Sequence, residues 1–547
     1  MSHLARRRRH ANPNPLFPVG TVFVAANGNN SNNGLSQLLP KLTLSNADAA
    51  AAVGASVLGR GGDTFRETVT CAVNSRTFGS YGSGMMRSSG ADIATGWAPA
   101  GLGTNTYSIA FASPVRLLLV NGVLAVLGAS SSTLANGQFF YGSSTLYYRS
   151  DAGNPDTLGL VAEAGQRDYC INQNSKDSIS VVGIIAEASQ HTSNSAIYFQ
   201  GIGHVTGWTV SQCIVRNCYS SALLCHAASN GCTVTFNQFL NCGQHGFWFD
   251  TADAQENVSI LHNTLDGCGW RTTGVNFPSG IIGGMHSGEV AFNSVNAQGA
   301  GGSGAHAYAI YAGQDLPGGS TLLIHDNSCI GTLDGTGIKT TNDAFIYNNV
   351  LGTNHGGGIN PGQNSGTGNC TVIAYRNVLY TNATSSGAGI DVKNAGSTGT
   401  LTFKGYHNTL FSNSVGGSGG EVLIESNLAV CDFRNNIVYA TSTASSKYFT
   451  FSVAQTGTVT IDKNVYFHGD ASTPFKYNGT QMSLTTWRAQ AFTPDVHSVV
   501  GDPLFVSAGT NNYRLSSGSP AINLGDVIAG INDGVSQPDA GAFEFGA

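Results

Sequence analysis

A chain of 547 residues in which only 10% are charged, 41% are hydrophobic and 72 are glycine is Gly-punctuated and strand-rich, which excludes a helical bundle. Its 25 Lys and Arg against 31 Asp and Glu leave a net charge of -6, so wholesale binding of nucleic acid is excluded as well. The 11 Cys are odd in number and lack CxxC spacing, which fits buried free thiols better than a disulfide framework or a zinc site; neither a metal nor a cofactor is expected.

Residues 1–20 carry four Arg and three Pro in "MSHLARRRRHANPNPLFPVG" and read as a flexible basic arm. Two readings stay open for it, a solvated tail and an anchor into a larger acidic assembly. The Arg run passes into Asn and Pro, so a secretory h-region is missing from this stretch. Residues 21–170 read as an irregular entry and cap region with an excursion. The most apolar stretch, "LLLVNGVLAVLGA" from Leu117, lies here and is too short and too interrupted to span a membrane.

Over residues 171–468 one phrase recurs, a short apolar strand, an Asn, another strand, a polar turn, and a third strand. Its Asn residues are Asn217, Asn237, Asn263, Asn293, Asn327, Asn349, Asn377, Asn408, Asn436 and Asn464, spaced 20 to 34 residues apart, which reads as a solenoid. Runs such as "TVIAY", "LTFKGY" and "VTIDK" alternate with period two, and helical periodicity is absent, so the units stack strand on strand. A parallel β-helix does this, with coils about 4.8 Å apart. The Asn is expected at a bend, where its tolerance of left-handed backbone and its side-chain amide let one rung bond to the next. From residue 469 to 547 the chain reads as a C-terminal excursion with a short helix near Leu484 to Gln490, then a closing segment.

The Asn ladder with its "GI" strands resembles the right-handed parallel β-helix superfamily that includes pectate lyases, many glycoside hydrolases and phage tailspikes. "TVFVAANGNNSNNGLS" is similar to the entry strand of such proteins, "GGDTFRETVT" to their first coil, and "GDPLFVSAGTNNYRLSSGSPAINLGD" with "PDAGAFEF" to their closing segment. The resemblance covers residues 21–547 and implies an all-β, single-stranded right-handed parallel β-helix with an N-terminal cap region and a C-terminal closing segment. It leaves function open, since this scaffold hosts lyases, hydrolases, epimerases and non-catalytic binders.

Alternation assigns facing in the third strand of each unit. Ile197, Leu223, Phe247, Ile281, Ile310, Ile338, Ile359 and Ile390 are expected inward; Tyr198, Leu224, Trp248, Ile282, Tyr311, Lys339, Asn360 and Asp391 are expected outward, in one solvent-facing column. Exposed aromatics beginning such a column and polar groups ending it suit sugar rings and hydroxyls, so Tyr198, Trp248, Tyr311, Lys339 and Asp391 are candidate substrate contacts. The competing reading is that long turns or a neighbouring subunit cover them. Asp315 and Asp343 fall at the same offset in successive coils, near the separation of about 5 to 5.5 Å expected of a retaining glycosidase. They are the candidate catalytic pair, with Asp250 and Asp253 as a comparable alternative and turn formation as the plainer role for each. His191, His245, His286, His306 and His355 read as solvated turn residues without metal-site spacing. Of these, His286 and His306 lie near the proposed groove, where either could orient substrate or carry a proton.

The resulting expectation is a phage tailspike-like receptor-binding protein of the virion that recognises, and in one version hydrolyses, a bacterial surface polysaccharide. The resemblance implies a homotrimer, and the basic arm would meet phage tail proteins. Two alternatives stay open, an extracellular bacterial β-helix glycoside hydrolase or polysaccharide lyase, and a non-catalytic structural or adhesive virion protein. Acidic residues clustered like calcium ligands are not evident, which ranks hydrolysis above elimination.

Overall fold

The computed structural model describes residues 17–546, apart from 103–104, 201–204, 227–228, 250–254, 272–276, 297, 300–306, 314–320, 334, 363–367, 384–386, 395–397, 414–418, 441–445 and 468–471. Three 14-stranded sheets run side by side, parallel throughout except for the last strand of the third sheet, Thr480–Met482. One coil shows the path. Cys370–Tyr375 lies in the first sheet, Val378–Tyr380 in the second and Ile390–Val392 in the third, and Leu401–Tyr406 then returns to the first sheet on top of Cys370–Tyr375. This is the parallel β-helix expected from the repeat.

Coiling begins within the entry region. Val22–Val24, Ser56–Arg60 and Thr77–Tyr81 are already first-sheet strands, and the departure from the coil is confined to residues 91–165. That excursion folds as two small sheets around Trp97, Leu118, Phe139, Leu146 and Tyr148. Alternating charges, the two Glu buried and the three Arg part-exposed, fasten it to the second sheet. Arg66 pairs with Glu163 at 2.6 Å, Arg87 bridges Glu163 and Glu187, and Arg216 meets Glu187 at 2.7 Å. Both Glu are 2% exposed, and each has two guanidinium partners to offset the cost of leaving water.

The inward set is confirmed in register: Ile197, Leu223, Phe247, Ile281, Ile310, Ile338, Ile359 and Ile390 form one row, each fully buried. Each such side chain contributes roughly 1.5–3 kcal/mol through the apolar area it removes from water.

Between the first and second sheets the Asn residues form a continuous ladder. Asn349 is typical: its Oδ1 accepts from Asn327 N and Nδ2, both at 3.0 Å, while its Nδ2 donates to Ile324 O at 2.9 Å and Asn377 Oδ1 at 3.0 Å. Two details differ from expectation. The left-handed residue is the one before each Asn, with Phe236, His262, Phe292, Asn348, Arg376 and Lys463 all at φ between 54° and 59°. Asn217 is not in the ladder, because Ile214 pairs with Gln238 and the rung residue is therefore Cys213, whose N–H donates to Asn237 Oδ1 at 2.9 Å. A second, shorter ladder runs through Asn354, Asn382 and Asn413 and ends on Glu421 Oε2 at 2.7 Å.

Both ends of the coil are plugged. Helix Leu44–Ala50 covers one, with Arg76 fully buried against Asp48 at 2.5 Å. At the other, Trp487 of helix Leu484–Arg488 stacks on Phe475 and donates Nε1–H to the buried Asp495 at 2.7 Å. The closing segment then folds back along the second sheet, packing Leu515, Ala521 and Ala540 on Ile437 and Val465. Among the described residues, no helix is long and apolar enough to cross a membrane.

Candidate functional site

The third sheet aligns the outward column as the alternation predicts. Tyr198 pairs with Leu224, Leu224 with Trp248, Trp248 with Ile282, Ile282 with Tyr311, Tyr311 with Lys339, and Lys339 with Asn360. Asn360 reaches the next coil by donating Nδ2–H to Asp391 O at 2.7 Å. Side chains more than 190 residues apart in sequence thus share one column.

The upper part of the column does not face solvent as expected. Leu224 and Ile282 are buried, Tyr198 is 6% exposed and Tyr311 is 3% exposed. These residues point away from the coil, but aromatic neighbours cover them. Tyr169 stacks on Tyr198 at 4.9 Å, and Ile282, Tyr308 and Tyr311 cluster with the half-buried Trp248. His245 stands beside Trp248 at 5.2 Å. It is not a solvated turn residue: it is 2% exposed, its Nδ1 accepts the Ser279 N–H at 3.2 Å, and burial pushes its pKa down to about 3.

The lower part of the column carries the charges. The Lys339 ammonium lies 4.9 Å from the Tyr311 ring and 5.4 Å from the Tyr308 ring, a double cation–π contact. Two coils further on is Asp391. Its register partner is Leu423, and the register partner of Val392 is Ile424, so Lys393 and Glu425 also lie opposite one another, with a 2.9 Å ion pair between them. Asp391 hydrogen-bonds to Glu425. Burial first, and then the charge of Glu425, push the Asp391 carboxyl up to about 7, while Lys393 and Lys339 pull the other way. Asp391 Oδ1 is closed off from solvent and has no hydrogen-bond partner among the described residues. A largely buried carboxyl that keeps its proton near neutral pH, beside a carboxylate paired with a lysine, is arranged to donate a proton.

The other predicted residues fall elsewhere. Asp343 accepts the Thr371 N–H at 2.6 Å, a turn-forming contact between the third and first sheets. Its expected partner Asp315, the alternative pair Asp250 and Asp253, and His306 lie outside the described residues. His286 Nδ1 is 2.6 Å from Glu256 Oε1, and a hydrogen bond from Ser287 helps hold the Glu256 carboxyl below the usual range. Tyr311, Lys339 and Asp391 are therefore brought together, whereas Glu425, Lys393 and Tyr308 were missed. The signal for Glu425 was present, because "IDVK" and "VLIE" align as outward–inward repeats that set Lys393 opposite Glu425.

No protein-family model matches the chain, and no curated protein matches it. Among solved structures, it is similar to XylC in complex with xylose, at 12% identity over 84% of this chain and 86% of that chain, with a TM-score of 0.53. A structure described as a glycoside hydrolase matches at 11% identity over 70% of this chain and 96% of that one, TM-score 0.43. The tailspike protein gp49 from Pseudomonas phage LKA1 matches at 14% identity over 83% and 72%, TM-score 0.26. At these identities the likeness is one of fold.

Proposed function

We propose that this chain is a carbohydrate-active β-helix protein of glycoside-hydrolase type, which binds a polysaccharide along the outward face of the third sheet and cleaves it with Asp391 as general acid. The observation that carries this is the Asp391 carboxyl itself, pushed up to about 7 and left with an unpartnered oxygen on the same column as Tyr311 and Lys339. A glycan laid along the axis crosses one coil every ~4.8 Å, so Lys339, Asn360 and Asp391 would meet successive stretches of it. The half-buried Trp248 extends the aromatic end of the strip. Two carboxyls in hydrogen-bond contact are closer than the roughly 5–5.5 Å of a retaining pair or the roughly 6.5–9.5 Å of an inverting one. Glu425 is therefore assigned to holding the acid's proton and not to attack on the sugar. Because Asp391 Oδ1 is closed off, substrate reaches it by displacing the cover around it. The xylose held in the XylC complex supports a sugar ligand for this architecture.

The test is incubation with a panel of plant and bacterial polysaccharides, read both by reducing ends and by the ultraviolet absorbance of unsaturated products. New reducing ends without absorbing products, lost in Asp391→Asn, are expected; absorbing products, or full activity in the variant, would overturn hydrolysis by Asp391.

A second reading keeps the face and changes its role, to that of a phage tailspike-like, virion-borne receptor-binding protein for a bacterial surface polysaccharide, with its Arg-rich arm against tail proteins. Eleven buried thiols, none in a disulfide, favour assembly in a reducing compartment. This reading requires a homotrimer, and a monomer by light scattering would count against it. A monomer that releases reducing ends favours the extracellular hydrolase.

A further inference from the structure

Away from the third sheet, a cleft of about 520 Å³ opens where the excursion leans on the second sheet. One wall is Gly122, Val123 and Leu124, an edge strand of the excursion; the other is built by three successive coils, from Arg216 and Asn217, Leu240 and Asn241, and Gly267 and Trp270. The second wall follows from the fold. Asn217, Asn241 and Gly267 occupy the same left-handed position where each chain leaves the second sheet, at φ 54°, 53° and 62°. A Cβ on Gly267 would sit 2.7 Å from Asn241 Oδ1, so glycine there is what leaves room for the amide above it.

The chemistry of this wall points to a ligand. Asn217 is 5% exposed and lines the cleft one coil from Asn241. Beside it, the Arg216 guanidinium spends its Nε–H on Glu187 and presents its outer edge to the cleft. Trp270 is fixed by donating Nε1–H to Asn241 O at 2.9 Å, with Tyr219 edge-on at 6.2 Å and the Arg271 guanidinium 4.3 Å over the Tyr219 ring. An indole held in place, amides in a row at the coil spacing, a guanidinium edge and an apolar lip from Val123 and Leu124 together match a sugar's flat faces and hydroxyl rim.

We infer that this cleft is a second glycan-binding site, non-catalytic and separate from the Asp391 face, taking a short oligosaccharide segment of a polymer. It spans the coils four to six steps from Asp391, roughly 19–29 Å along the axis. A polymer can therefore engage both sites, while a short oligosaccharide cannot.

Asp391→Asn protein is titrated calorimetrically with the same polysaccharide panel, alone and combined with Trp270→Ala or with Asn217→Gly. The glycine keeps the left-handed turn, so Asn217→Gly removes the amide without refolding the bend. Circular dichroism and melting temperature unchanged in both variants would show that the coil is intact. Expected is a polymer whose affinity falls about tenfold on either substitution, a change of about 1.4 kcal/mol. Equal affinity in all three proteins, or no binder in the panel, would overturn the site. The catalytic reading fails independently of this result. Wild-type cleavage with binding indifferent to Trp270→Ala sinks the cleft alone, and Trp270-dependent binding without wild-type cleavage sinks hydrolysis alone.

Discussion

Asp391 can act as a proton donor only while it holds its proton, and burial together with the Glu425 charge keeps it protonated to about pH 7. Cleavage should therefore fall as pH rises through about 7, and Asp391→Asn should lower turnover by roughly 10²–10⁴-fold, the range expected for a general acid. Glu425→Gln removes the repulsion that raises the acid, so its falling limb should move to lower pH in a pH–rate profile. The same shift has a cost in stability. A folded-state pKa above the unfolded value of about 3.9 stabilises the fold at low pH, and that contribution is lost as pH rises through about 7. Asp391→Asn does not titrate, so melting curves should show it gaining on the wild type between pH 5 and pH 8.

The Asn ladder is the element on which the coil depends. Asn349→Ala deletes four hydrogen bonds and strands the buried N–H of Asn327, so a loss of roughly 2–4 kcal/mol is expected in a denaturant titration. Asn354→Ala in the shorter ladder should cost less, because only three Asn share that row. The coil and the column from Tyr198 to Asp391 were legible in the sequence because strand alternation and the Asn repeat both fix register. Where a letter was missing the register slipped. Cys213 stands in the rung that Asn217 seemed to fill, since a thiol of similar size can occupy a buried bend without announcing it. Exposure was misjudged for Tyr311 because alternation tells which way a side chain leaves the strand, and not what lies over it. Glu425 escaped notice because it follows the alternating triplet instead of lying within it, and only the pairing of Lys393 across the coils reveals it.

The closing segment binds the far coils into one body, and His407 is its hook. His407 Nδ1–H donates to Asp539 O at 2.9 Å, while Nε2 accepts from Asn435 at 2.9 Å and Asn532 at 3.0 Å, so the ring must be neutral. Burial pushes its pKa down to about 4. A lowered folded-state value means that the stability it supports is present above its ordinary value of about 6.5 and is lost as pH falls through about 4. Limited proteolysis should accordingly release the tail near pH 4 and not at pH 7. Deleting residues 501–546 should uncover Ile437, Val465 and Phe411, and produce aggregation visible on size exclusion.

Each rung of the Asn ladder hands the next the same bonds, and so the number of rungs between two given side chains is a free integer. Excising residues 350–377, one whole coil, would leave Asn349 feeding directly into Val378, the residue that pairs with Val350, with Asn408 waiting to take up the bonds of the lost Asn377. Lys339 would then stand one step from Asp391 instead of two. A protein built this way can alter the length of chain it measures only in increments of about 4.8 Å, like a ruler that is cut or extended at its graduations and nowhere between them.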